Sequence, residues 1–337
     1  MSALKSLYIL ITAIVAFLAG IALLNFSVDP QCYYRCHELD LNKRTLNTYY
    51  QVAQRILAYP QAEVVILGSS RGENTPPLWV ESVSGLKTLN LSASGAELAT
   101  KLAFLKIAEQ KTQLKKVIWF ADYFELISQT ADAKIKNTPA LRSYLKGVSL
   151  DNGLEQKLRE VQGLIDHNTL EASLHFLGNK DKTQITQGAG SDIDFASCLN
   201  PDFKGKETVE SLKREVDMLY QSYTTAVIVA QQNTEALGDF KRELTDLARK
   251  GVEIHVVLTP YHPEFLARLK QQRPEIYERH QHWLTEVKSL QGNGLVVHDF
   301  FEGLTGDDGS PAYWNDGVHF TCKASIMMMD GLVQGWK

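Results

Sequence analysis

The sequence has no excess of positive charge: 35 Lys and Arg stand against 39 Asp and Glu, a net charge of −4 over 337 residues. Nucleic-acid binding calls for a basic face, so that class is set aside. Internal repeats and low-complexity tracts are also missing, and with 44% hydrophobic and 22% charged residues the chain has the composition of a packed globular protein rather than a disordered one. Cysteine is scarce. Cys32 and Cys36 stand close together, Cys198 and Cys322 far apart. The even count permits disulfides and equally permits four reduced thiols. Cys32 and Cys36 resemble half of a zinc site, but no second close Cys/His pair follows, so neither a metal nor a cofactor is expected. The length suits one large α/β domain with an insertion, or two modest domains.

Charge is absent altogether from Leu7 to Phe26, LYILITAIVAFLAGIALLNF. About 20 apolar residues in a helix span the roughly 30 Å hydrocarbon core of a bilayer. No Ala-x-Ala-like cleavage site follows, which favours an uncleaved anchor over residues 1–28, with 7–26 in the lipid, over a removed secretory signal. Lys5 lies on one side and Arg35, Lys43 and Arg44 on the other, so charge counting does not fix the orientation. A first apolar segment before a large domain commonly acts as a signal anchor. The expectation is a single-pass protein of a bacterial inner or cytoplasmic membrane with its domain outside the cytoplasm.

Residues 29–60 read as a polar tether ending in a docking helix, Tyr49 to Ala58, stopped by Pro60. Short apolar runs follow: Val64–Leu67, Leu86–Leu91, Val117–Phe120, Ile254–Leu258 and Leu295–Val297. Their continuous apolarity suits strands buried on both faces of a parallel sheet. Between them, Ala96–Gln110 and Glu235–Lys250 carry one-sided apolar spacing, the second ended by Gly251. Strands alternating with amphipathic helices mean a three-layer α/β/α fold around a five-stranded, mostly parallel, doubly wound sheet. The domain is expected over 61–337. A largely helical insertion at about 125–232 includes a helix from Asn168 to Gly178 and a mobile loop from Gly178 to Phe203.

Two segments can carry chemistry. After the first strand comes Gly68-Ser69-Ser70-Arg71-Gly72, at the carboxyl end where ligands gather in open α/β sheets. A serine there can act as a nucleophile beside backbone N–H groups, or one of the two serines can simply cap the next helix. Near the C-terminus, Asp316-Gly-Val-His319 places a carboxylate three residues before an imidazole. That spacing lets the acid hold one ring nitrogen while the other takes a proton from a serine. His298 with Asp299 is a competing pair, ranked lower because Asp299 has nothing obvious to orient.

Taken in order, Gly68-Ser69-Ser70, Asn90-Leu-Ser-Ala-Ser-Gly95, Thr259-Pro-Tyr-His-Pro263 and Asp316-Gly-Val-His319 resemble the SGNH (GDSL-like) hydrolase superfamily. The likeness is to its membrane-anchored Gly-Ser-Ser branch, related to envelope-polysaccharide O-acyltransferases and D-alanyl transfer proteins, and it covers roughly Glu63 to Thr321 apart from the insertion. It implies Ser70 as nucleophile and oxyanion-hole donor, Gly95 as a second donor, Asp316 as orienting acid and His319 as base. Ser69 replaces the aspartate often found before the nucleophile. One position departs: an asparagine donor is usual where this chain has Asp122, and an ionised carboxylate would repel an oxyanion. Asp122 is therefore protonated, bound elsewhere, or bypassed by a hole of backbone N–H groups alone.

Substrate contacts are assigned to Arg71, His262 and Trp314. Arg71 can meet an anionic group or pair with an acid. For His262 the alternative is a rigid turn, and for Trp314 core packing. The resulting expectation is a serine O-acyl esterase or O-acyltransferase working through a Ser70 acyl-enzyme on cell-envelope or exopolysaccharide. The resemblance also implies a membrane-bound O-acyltransferase as partner. The rival readings are a catalytically inactive binding or scaffold subunit of the same machinery, supported by Asp122, and a metal-dependent hydrolase using His262, Asp316 and His319.

Overall fold

The computed structural model describes residues 3–29, 48–127, 161–178 and 187–336. Cys32, Cys36, the tether to residue 47 and the insertion at 128–160 and 179–186 lie outside the described residues. The chain divides into two compact units, Met1–Gln54 with Ala133–Ile185, and Arg55–Asp132 with Thr186–Lys337.

In the first unit α1 (Ala3–Val28) is the long apolar helix, and α5 (His167–Gly178) packs against it. α2 (Thr48–Ala58) lies at the boundary between the units.

The second unit is built on one parallel sheet, β1 (Val64–Leu67), β2 (Thr88–Asn90), β3 (Lys116–Ala121), β4 (Glu253–Leu258) and β5 (Leu295–Asp299), in the order β2-β1-β3-β4-β5. Every pairing is parallel, so the fold is wholly parallel where a mostly parallel sheet was expected. The inner strands are buried along almost their whole length because helices cover both faces. Successive residues of a strand point to opposite faces, and β3 displays this. Trp119 meets Phe240 of α8 (Thr234–Arg249), which packs beside α4 (Leu98–Lys111). Phe120 meets Phe320, just ahead of α11 (Cys322–Val333), which packs beside α3 (Pro77–Ser84). Three further helices belong to this unit: α7 (Val209–Ser222), α9 (Pro263–Gln272) and α10 (Pro274–Lys288).

Reversal of strand order between β2 and β3 opens the crevice beside β1, where Ser70 stands. The segment expected to be a mobile loop is, from residue 187 onward, a fixed one. Gln187 and Ala189 exchange backbone hydrogen bonds with Asn90 at the end of β2, and a Cβ on Gly188 would collide with the Asn90 carbonyl at 1.9 Å. The short helix α6 (Phe195–Cys198) ends in a disulfide from Cys198 to Cys322, the first residue of α11. Cross-linking residues 124 apart in sequence removes unfolded-state entropy worth about 4 to 5 kcal/mol.

His280 of α10 is fully buried, donating from Nδ1 to the Ile276 carbonyl (2.9 Å) and accepting from the Tyr261 hydroxyl (3.2 Å). Both ring nitrogens are satisfied only in the neutral form. Burial, opposed by the Ile276 contact, lowers its pKa from 6.5 to about 4. A depressed folded-state pKa gives stability that is complete above pH 6.5 and is lost as pH falls toward 4, on the order of 3 kcal/mol in full. In acid titrations of unfolding, the wild type is expected to lose more stability between pH 6.5 and 4.5 than His280→Gln, which cannot titrate. Equal losses would refute the assignment.

Candidate active site

β1 runs directly into a single 3₁₀ turn, Ser70–Gly72. Its cap is Ser69, whose extended backbone lets Oγ accept from the Arg71 N–H (3.3 Å) while donating to Asp122 Oδ2 (2.6 Å). The two serines thus divide their roles: Ser69 is buried and caps, and Ser70 is half-buried. Chain packing here tolerates no side chain, since a Cβ on Gly72 would lie 2.3 Å, and one on Gly68 2.8 Å, from Ser92 Oγ.

Ser70 Oγ meets His319 Nε2 at 2.7 Å, and His319 Nδ1 meets Asp316 Oδ2 at 2.6 Å. With the carboxylate accepting at Nδ1, that nitrogen carries the proton and Nε2 is free to take one from Ser70. The second carboxylate oxygen accepts from the backbone N–H groups of Val318 (2.8 Å) and His319 (2.7 Å). Burial alone would raise the Asp316 pKa, but the hydrogen bond and charge of His319, with those two N–H groups, hold it below the ordinary carboxylate value. Asp316 and His319 sit in a hairpin-like turn closed by a bridge between Trp314 and Phe320, with Asn315 N–H donating to the His319 carbonyl (2.8 Å).

Gly95 occupies a turn with φ +71°, a conformation that favours glycine. Two contacts fix this turn beside the Ser70 turn: Ala93 N–H donates to the Gly68 carbonyl (3.1 Å), and Ser94 donates to the Glu73 carboxylate from its N–H (2.6 Å) and hydroxyl. No acceptor among the described residues meets the N–H of Ser70 or of Gly95.

Asp122 is bound elsewhere. Its carboxylate accepts from Arg71 Nη1 (3.1 Å), Ser69 Oγ and Thr259 Oγ1 (2.8 Å), and it is 1% exposed. Every contact the carboxylate makes is that of an acceptor, so its assignment to the oxyanion hole is corrected to an anchor joining the ends of β1, β3 and β4.

The three proposed substrate contacts are corrected as well. Arg71 is 2% exposed, and its other donors reach the carbonyls of Val318 (Nε, 2.9 Å) and Pro260, with the guanidinium 4.8 Å from the Tyr261 ring centre. It pairs with an acid and presents nothing to a substrate. His262 is the N-cap of α9, accepting from Glu264 N–H at Nδ1 while Nε2 donates to the Gly309 carbonyl (3.0 Å). Trp314 is fully buried against His262 and Phe320, with Nε1 donating to Asp307 (2.8 Å). The competing pair separates: Asp299 pairs with Lys288, and His298 meets His255 at 3.0 Å. Among the described residues no cluster of His, Cys, Asp and Glu is arranged to hold a metal.

Sequence reading missed the side chain of Asn90. It donates to the carbonyls of Gly72 and Thr75 (2.9 Å each) and accepts from Ser92 N–H, fastening the segment after Ser70 to the end of β2. An amide closing a buried strand was the available signal.

No family model and no curated protein matches this sequence. Two solved structures are similar to it: a Streptococcus pneumoniae protein provisionally described as a platelet activating factor (TM-score 0.40, 10% identity, 85% of this chain and 92% of that one), and a provisionally described acylhydrolase of Bacteroides fragilis (TM-score 0.39, 13% identity, 88% and 97%). These scores are too low to carry an argument, and the functional reading rests on the site itself.

If Asp122 were an oxyanion-hole residue, Asp122→Asn would speed the reaction. As an anchor for buried Arg71, the carboxylate cannot be lost without leaving that charge unmatched, at a cost of about 3 to 5 kcal/mol. Denaturant unfolding is expected to register that loss with no gain in rate. A variant as stable as the wild type and faster would reverse the assignment.

Proposed function

We propose that this chain is a membrane-anchored serine esterase or acyltransferase in which Ser70 is the nucleophile, His319 the general base and Asp316 its orienting acid. The observation that carries the reading is the unbroken relay from Ser70 Oγ through His319 to Asp316, with contacts of 2.7 and 2.6 Å. Serine is a weak nucleophile until an adjacent base takes its proton, and this arrangement supplies one.

In the proposed reaction Ser70 Oγ attacks the acyl carbonyl carbon as its proton passes to His319 Nε2. Asp316, ionised and hydrogen-bonded at Nδ1, stabilises the imidazolium. The oxyanion of the tetrahedral intermediate is met by the N–H groups of Ser70 and Gly95. Collapse expels the alcohol, which takes the proton from His319, and leaves the acyl group on Ser70. An incoming hydroxyl then gives its proton to His319 and attacks the acyl-enzyme; water completes hydrolysis and a sugar hydroxyl completes transfer. A missing oxyanion donor typically costs about a hundred- to a thousandfold in rate, and Asp122 supplies none, so slow hydrolysis goes with this site.

As acyl acceptor or donor we propose cell-envelope or exopolysaccharide, which rests on the resemblance of the motifs. A location outside the cytoplasm draws support from the disulfide Cys198–Cys322, a bond that persists in oxidising compartments, and from α1, whose apolar stretch is long enough to cross a membrane. The inactive-scaffold reading loses its main support, because Asp122 is engaged by Arg71 rather than directed at a reaction centre.

A fluorophosphonate probe tests the reading, since it reacts only with an activated serine. Wild type is expected to label and Ser70→Ala to remain unlabelled. Asp316→Asn, which leaves His319 in the wrong tautomer, should turn over an activated ester about 10⁴-fold more slowly. Absence of labelling in the wild type, or equal labelling of Ser70→Ala, would dispose of the enzyme reading.

A further inference from the structure

We infer that the helical segment 161–178 lies in the membrane interface beside α1, so that the protein is held by a spanning helix and by a second, surface-lying helix. This inference rests on the reading of α1 as a membrane-spanning helix.

Depth is the first ground. The uncharged run Leu7–Phe26 measures about 30 Å at 1.5 Å per residue, the thickness of the hydrocarbon core. Asn25 is its penultimate residue, which places a primary amide at the edge of the hydrocarbon. Such an amide must find its partners within the protein. It does so entirely in the segment: Nδ2 donates to the Leu164 carbonyl (2.7 Å) and Oδ1 accepts from Ser173 Oγ (2.8 Å), and Asn25 is fully buried. The two contacts hold residues 164 and 173 at the level of Asn25. Residues 4–20 of α1, by contrast, are exposed along their whole length, and burial on α1 begins only at residue 21.

The surface of the segment is the second, independent ground. α5 meets α1 through Ser173, and Thr169, one turn earlier, is buried with it. On one flank it leaves Leu174 and Leu177 more than half exposed, and the preceding turn leaves Val161 and Ile165 exposed. His175, two residues before Leu177 and so on the opposite side of the helix, is exposed, as are His167 and Glu171 on the face between. A side of exposed leucines and a polar side along one short helix suit a helix lying in the boundary between acyl chains and headgroups. Leu23 and Phe26 of α1, beside Asn25, also stay exposed, so the apolar side lies next to a surface that α1 turns to lipid, and the occupant is the bilayer.

Brominated acyl chains quench tryptophan that enters the lipid, and full-length protein in vesicles of such lipid supplies the test. Fluorescence added by Leu177→Trp, taken as the difference from wild type, is expected to be quenched several-fold more than that added by His175→Trp on the opposite side. Ile14→Trp in the middle of α1 reports on the anchor itself. Quenching at Ile14→Trp with Leu177→Trp no more quenched than His175→Trp would place the segment outside the lipid, in water or under a protein partner, and overturn the inference. An unquenched Ile14→Trp would overturn the spanning reading of α1 and the inference with it.

Discussion

A guanidinium buried to 2% exposure holds the site together. Removing such a charge from water is tolerable only when it is met by an opposite charge and further hydrogen bonds. Arg71 is met by the Asp122 carboxylate at the end of β3, by the Pro260 carbonyl after β4 and by the Val318 carbonyl beside His319. Arg71 itself follows Ser70, so one side chain joins the Ser70 turn to the hairpin of Asp316 and His319. The 2.7 Å approach of Ser70 to His319 has its structural basis here. Asp122 can be no oxyanion donor for the same reason: its carboxylate is the counter-charge.

Much of the frame was legible in the sequence. Continuous apolar runs announced four of the five strands, because a parallel sheet covered on both faces leaves no solvent side to impose alternation; β2 lies in Leu86-Lys-Thr-Leu-Asn-Leu91, whose leucines alternate with polar residues. The contacts of Ser70 with His319 and of His319 with Asp316 were legible too, since these residues stand next to a strand end or to one another at short spacing. Arg71, His262 and Trp314 misled for a shared reason. Arg71 and His262 follow strand ends, where substrates gather, and Trp314 stands two residues before Asp316; only tertiary packing tells a binding residue from a buried brace. The partners of Arg71 lie 51, 189 and 247 residues away, beyond any local pattern. Likewise the Pro260–Pro263 stretch reads as a rigid turn, yet Pro263 is the first residue of α9 and His262 its cap.

The braces around the site are mostly neutral and backbone-directed. Asn90 ties the segment after Ser70 to β2, His262 N–H meets the Gly317 carbonyl (3.0 Å), and Asn74 Nδ2 reaches the Phe320 carbonyl (2.9 Å). The disulfide to Cys322 adds a covalent restraint three residues beyond His319. Together they brace the segments that carry Ser70, Asp316 and His319, all half-buried, and leave the Gly95 turn exposed.

The central claim is that this geometry makes Ser70 form an acyl-enzyme. Mass spectrometry of the protein quenched in acid during turnover of an activated acyl ester tests it most directly. The account predicts the acyl mass on the peptide containing Ser70, and its loss in His319→Ala. An unmodified Ser70 peptide throughout turnover, with the acyl group on another residue, would contradict it.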